Sequence, residues 1–142
     1  MTRLAQRAVE LGKDDAIALA ASGYALAFVV RDLEVGAALI DRALVLNSNS
    51  AEAWSFGGWV KNWLGEPEAA IERFARAMRL SPLDPRVTAA RAGTAHAHFF
   101  LGRYDEAASW AAMALQDNPD DQPGLRIAAA SNAMGRTAGA ST

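Results

Sequence analysis

Similar strings close three helical runs in this chain, and the distance between them limits what it can fold into. Ala43-Leu44-Val45-Leu46 and Ala77-Met78-Arg79-Leu80 lie 34 residues apart, and Ala114-Leu115-Gln116-Asp117 closes a third run. A unit of that length is too small to bury its own apolar face. Copies of it must therefore stack on one another and share a continuous core.

Caps and breakers divide the chain further. Gly12 is read as the stop of a first helix begun near Thr2, with Asp14 or Asp15 capping the next. Asn49 and Glu52 form a capping-box pattern, and Gly65 followed by Pro67 marks a stop and a restart. Asp84-Pro85 opens another helix, Gly102 stops it, Asn118-Pro119 ends the one after, and Asp121 to Pro123 opens the last. Eight helices are expected, at about 2–12, 15–30, 33–47, 51–64, 67–81, 86–101, 104–117 and 122–135. The short turns force neighbours to run antiparallel.

The middle unit carries Trp54, Gly58, Gly65, Ala70, Phe74, Ala77 and Pro82, and with them it resembles a tetratricopeptide (TPR) repeat. Gly58 and Ala70 are small where two helices cross, Trp54, Leu64, Phe74 and Ala77 supply an apolar seam, and Pro82 ends the second helix. The resemblance implies an all-α, right-handed superhelix of antiparallel helix pairs. It gives repeats at about 17–50, 51–84 and 85–121, with half-repeats at 1–14 and 122–142. In the first repeat Ala20, Gly36, Ile40 and Ser48 replace the tryptophan, alanine, aromatic and proline; the third has three extra residues around Pro85-Arg86-Val87. Ends without polar capping helices imply a segment of a larger protein, or self-association.

Over about 40–142 the chain also resembles the TPR region C-terminal to bacterial class III adenylate cyclase domains and related winged-helix regulators. Leu80-Ser81-Pro82-Leu83-Asp84-Pro85, the run from Ala95 to Ala107, Asn118-Pro119 and Ala128-Ala129-Ala130 carry that likeness. It implies a regulatory or oligomerisation module beside such a domain. Co-chaperone TPR domains clamp a C-terminal carboxylate with lysine, asparagine and arginine on their first helices. The corresponding sites here, Ala21, Ala25, Ser55 and Ala92, cannot supply those donors.

Composition narrows the function. There is no cysteine, so neither a disulfide framework nor a thiolate metal site is available. Lys+Arg 14 against Asp+Glu 16 gives a net charge of -2, and no basic cluster suits a phosphate backbone. An RNA-binding helical repeat is therefore disfavoured. The apolar stretch from Ala16 to Val30 falls short of the roughly 20 residues that span a bilayer and is read as a buried helix. The N-terminus lacks a signal-peptide pattern, which makes the cytoplasm the expected compartment. His96 and His98, two apart on a helix, point in different directions and cannot share an ion. Serines without a His/Asp pairing and the lack of a phosphate loop leave no catalytic constellation. Neither enzyme activity nor a cofactor is expected.

The first helices of successive repeats should line a concave groove that takes a protein or peptide. On 51–64 that face carries Glu52, Ser55, Trp59, Asn62 and Trp63; on 86–101 it carries Ala89, Ala92, His96, Phe99 and Phe100; on 15–30 it carries Ala18, Ala21, Ala25, Phe28 and Val29. The candidate partner-binding residues are Glu52, Ser55, Trp59, Asn62, Trp63, His96, Phe99 and Phe100. Aromatic burial would supply the affinity, with Glu52, Asn62 and His96 setting orientation. Trp110, on a second helix, is read as core. The stripe Arg73, Arg76 and Arg79 beside Glu72 is read as a solvated convex face.

Overall fold

Seven α-helices and one π-helical turn account for the regular structure in the computed structural model, which describes the backbone of residues 3–140 and the side chains of 3, 12 and 14–136. Helix α1 (Arg3–Ala25) runs into the π-helical turn Leu26–Val30 and is followed by α2 (Leu33–Leu46), α3 (Ala51–Trp63) and α4 (Pro67–Leu80). Then come α5 (Val87–Phe100), α6 (Tyr104–Asp117) and α7 (Gln122–Ala140). Helices α1 and α2, α3 and α4, and α5 and α6 form hairpins. The first helices of the hairpins also touch one another, from α1 through α3 and α5 to α7, whereas α2, α4 and α6 make no comparable mutual contact. The stack therefore curves toward its first helices, and their free faces form the concave side.

Local chemistry sets most boundaries. Asp32 Oδ1 accepts from the Val35 N–H at 3.3 Å, Ser50 Oγ from Ala53 at 3.2 Å, and Asp121 Oδ2 from Gly124 at 2.8 Å, each occupying an otherwise orphaned first-turn donor. Pro67 starts α4 where no N–H is needed. Gly65 and Gly102 close α3 and α5 with φ of 79° and 76°, which β-carbons disfavour.

Several sequence expectations need correction. No break occurs at Gly12, and α1 continues through it, so the separate helices at about 2–12 and 15–30 are one. A helix-interior glycine costs about 1 kcal/mol relative to alanine. That is less than two helix ends would cost where no proline or cap enforces them. Asp14 and Asp15 consequently sit exposed within the helix rather than at its start. The half-repeat expected at 1–14 lies largely on residues whose side chains are outside those described. At α3 the cap is Ser50, not Asn49, because Asn47 Oδ1 takes the Asn49 N–H at 3.1 Å and leaves Ser50 as the last extended residue. The three extra residues of the third repeat fall in the turn before α5, where Asp84 accepts from the Arg86 N–H at 2.8 Å.

The stretch 16–30 is not buried all round. Ala16, Ala20, Gly23 and Ala27 form one buried stripe, while Ile17, Phe28, Val29 and Val30 are exposed. Small residues at spacings of three and four let α2 approach so closely that a Cβ on Gly23 would lie 2.6 Å from the Gly36 carbonyl oxygen. The π-helical turn follows, and Arg31 ends it with φ of 67°.

The centre of the stack is a single ring. Phe74 on α4 is fully buried, and Gly58 on α3 and Gly93 on α5 both face it. A Cβ on Gly58 would stand 2.6 Å from Phe74 Cε1, and one on Gly93 only 2.1 Å from Phe74 Cζ. The ring thus packs where two first helices leave out side chains, which joins the second hairpin to the third. Alanine clusters lie on either side of it, one built on Ala16, Ala20, Ile40 and Ala43 and another on Ala95, Ala107, Ala111 and Ile127.

Gly93→Ala should lower stability by about 1–3 kcal/mol in urea titration, despite the better helix propensity of alanine. Combining it with Phe74→Leu should restore part of that loss, because the shorter side chain vacates the space the new methyl needs.

Candidate functional site

An unbroken series of ring contacts crosses the concave side. Tyr24 near the end of α1 stacks on Phe56 at 4.4 Å between centroids and lies 5.9 Å from Phe28 in the π-helical turn. Phe28 meets Trp63 at 5.7 Å, Trp63 meets Trp59 at 6.1 Å, Trp59 meets His96 at 5.5 Å, and His96 meets Phe100 edge-on at 4.7 Å. Such offset and edge-on pairs are preferred geometries and hold the rings in place. Between them opens a cleft of about 260 Å³, lined by Tyr24, Phe28, Trp59, Trp63, His96, Pro123 and Arg126. Residues of α1, α3, α5, α7 and the π-helical turn thus converge on it.

The eight residues singled out from the sequence occupy different places. Trp59, Trp63 and His96 line this cleft, and Phe100 stands beside it, 59% exposed. Trp59 also donates from Nε1 to the Ala89 carbonyl at 3.2 Å and presents an edge to Phe74, so it belongs to the wall and the core together. Asn62 is buried: its Nδ2 donates to the Gly93 carbonyl at 3.0 Å, and its Oδ1 has no hydrogen-bond partner. Its amide fastens α3 to α5 instead of facing the groove, because the glycine at 93 lets the two helices approach. Phe99 turns away as well, packing with Ala95, Ala107, Ala111 and Ile127 and lying 5.4 Å from Tyr104.

Glu52 and Ser55 lie two turns and one turn upstream of Trp59, where they border a smaller cavity of about 100 Å³ between α3, α4 and α5. Ser55 is buried there, and Glu52 pairs at 2.7 Å with Arg86, which Asp84 also holds at 2.9 Å. The side-chain hydrogen bonds from Arg86, then the one from its backbone N–H, and its charge hold the Asp84 carboxyl below its ordinary pKa against the effect of burial. Glu52 is therefore already paired within the chain.

Three contributors escaped the sequence reading. Tyr24 sits at the position that Gly58 takes in the next repeat; Gly23 makes the close approach to α2 instead, and the tyrosine ring faces the groove. Pro123 and Arg126 belong to α7, which had been given no groove face. A signal existed: Ala21, Ser55, Ala92 and Arg126 recur at spacings of 34, 37 and 34.

The two histidines face different surroundings. Burial first, and then the charge of Arg126, lower the pKa of His96, whose Nδ1 is buried without a partner. His98 points to the α5–α6 seam, where Nδ1 lies 3.3 Å from Glu106 Oε2 without hydrogen-bond alignment, and burial outweighs the attraction, lowering its pKa too. Burial raises the pKa of Tyr24, which keeps its hydroxyl protonated. Among the described residues no group of three His, Cys, Asp or Glu side chains could hold a metal ion, and no helix is long and apolar enough to cross a membrane. On the convex side Arg73 pairs with Asp41 at 2.8 Å, and Arg73 and Arg76 lie 6.0 and 5.7 Å from the Trp54 ring. Trp110 packs against the cluster of Ala95, Ala107, Ala111 and Ile127.

A sequence profile of the tetratricopeptide repeat family matches residues 64–140, just over half of the chain. No curated protein sequence matches it significantly. Among solved structures, the TPR domain of Arabidopsis OM64 is 19% identical with a TM-score of 0.76, over 85% of this chain and 97% of that one. The second TPR domain of human RPAP3, solved with the HSP70 peptide SGPTIEEVD, is 18% identical with a TM-score of 0.73, over 85% and 98%. The Yersinia enterocolitica type III secretion chaperone SycD, solved with a peptide of the translocator YopD, is 15% identical with a TM-score of 0.66, over 85% and 89%.

Both histidines are held neutral in the folded chain, so the unfolded chain takes up protons first as pH falls. Stability should be full above about pH 6.5, the ordinary histidine value, decline below it, and level off beneath the folded-state pKa values. Urea midpoints at pH 7.5, 6.5 and 5.5 would show this slope, and His98→Gln should flatten it.

Proposed function

The chain belongs to the tetratricopeptide repeat family, and we propose that it is a non-catalytic interaction module whose concave aromatic cleft binds a peptide or helix of a partner protein. The observation that carries this reading is the cleft itself. Rings from separate repeats are fixed in advance by mutual contacts, yet Phe28 remains 56% and Phe100 59% exposed. Pre-set aromatic side chains lose little freedom on binding and supply much of the energy at interfaces. The peptide complexes of the RPAP3 domain and of SycD show the same fold used for peptide capture. In the setting implied by the likeness to adenylate cyclase and winged-helix regulators, the cleft would receive a segment of a neighbouring domain.

Self-association is a second reading, supported by apolar exposure near α1 and α2: Val29 is 73%, Val30 65% and Val35 46% exposed. Light scattering over a concentration series tests it. A mass that rises with concentration and falls back in Val30→Asp would favour assembly, whereas a constant monomer mass would exclude it.

For the peptide-binding reading, binders are selected from a random 12-residue display library and re-measured on variants. Phe28→Ala and Phe100→Ala should each weaken the selected peptides by more than about 1 kcal/mol while changing stability by less than about 0.5 kcal/mol. Trp59→Ala is the poorer probe, because its loss also removes a core contact. If no peptide is selected, or if binding survives both substitutions, the cleft is not the site.

A further inference from the structure

Arg126 gives the cleft a charge preference. Among the described residues it is the one cation lining the cleft, no acidic side chain lines it, and Arg126 makes no ion pair. Glu52, the acid that the sequence places on the concave face, is already held by Arg86 at 2.7 Å. An aromatic cleft with a single uncompensated positive charge has a sign, although the chain as a whole carries -2. Neutral His96 across from Arg126 adds no second cation.

We propose that the occupant of this cleft is a peptide segment carrying an aspartate or glutamate side chain next to a bulky apolar residue, with the carboxylate paired to Arg126 and the apolar residue seated among Trp59, Trp63 and Phe28. The inference rests on the peptide-binding reading above and names the chemistry of its ligand. A guanidinium matches a carboxylate through paired N–H donors, which fixes the orientation of the acid. A side-chain carboxylate fits better than a chain terminus. The level positions on the other first helices, Ala21, Ser55 and Ala92, add no cation to share a terminal carboxylate, and the series of rings continues past His96 to the exposed Phe100.

The test is a charge swap. The wild-type chain and Arg126→Glu, a substitution at an exposed position, are each panned against the random 12-residue library, with melting curves to show that both fold. Wild type should enrich an acidic residue beside an aromatic or branched aliphatic one, and Arg126→Glu should enrich lysine or arginine at that place. For a selected synthetic peptide, replacing the acid by its amide should weaken binding about five- to tenfold at low salt and less at high salt. Amidating the peptide C-terminus should leave affinity unchanged; a loss there would overturn the side-chain assignment. Apolar peptides enriched without a charge preference, or with one that survives the swap, would overturn this inference while leaving the cleft as a binding site. Failure to enrich any peptide with either chain would overturn the peptide-binding reading and this inference with it.

Discussion

Phe74 is the contact on which the rest of the stack depends. Its ring is fully buried between α3 and α5, at positions where both helices carry glycine, so three helices of two successive repeats meet at one side chain. Dense interiors transmit displacement instead of absorbing it. The close approach made there brings Trp59 and Asn62 within reach of the α5 backbone at Ala89 and Gly93, and sets Trp59 against His96. The concave aromatic wall is thus a downstream result of two missing β-carbons.

That dependence explains what the sequence revealed. Gly58, Ala70, Phe74 and Ala77 are legible because their spacing states a packing requirement, and Gly65 with Pro67 because they state a backbone one. Gly12 misled, since a glycine tolerates a helix end without imposing one. Asn62 and Phe99 lie on the helical face that periodicity assigns to the groove. Periodicity does not reveal how closely the next helix approaches; Gly93 brings α5 near enough to cover the amide, and the α6–α7 seam takes the phenylalanine. Tyr24 and Arg126 were hidden for the opposite reason. Their positions become groove positions only once the curvature brings α1 and α7 to opposite walls of one cleft.

Electrostatics divides the concave side in two. Near the start of α3 and α5, Glu52, Arg86 and Asp84 satisfy one another across a small apolar cavity. One to two turns further on, rings replace ion pairs, and among the described residues Arg126 is the charged side chain that lines the cleft. The first half is locked internally, and the open rings on which the proposed binding rests lie in the second.

The two hydrogen bonds from α3 side chains to α5 carbonyls, from Trp59 and Asn62, bear on mechanics as well as geometry. A curved stack of hairpins behaves as a spring whose pitch follows the spacing of its inner helices. Because the same tryptophan both bridges α3 to α5 and lines the cleft, the width of the cleft and the pitch of the stack are coupled. A ligand that wedges the rings apart must wind or unwind the coil, and tension on the coil must change the width of the cleft.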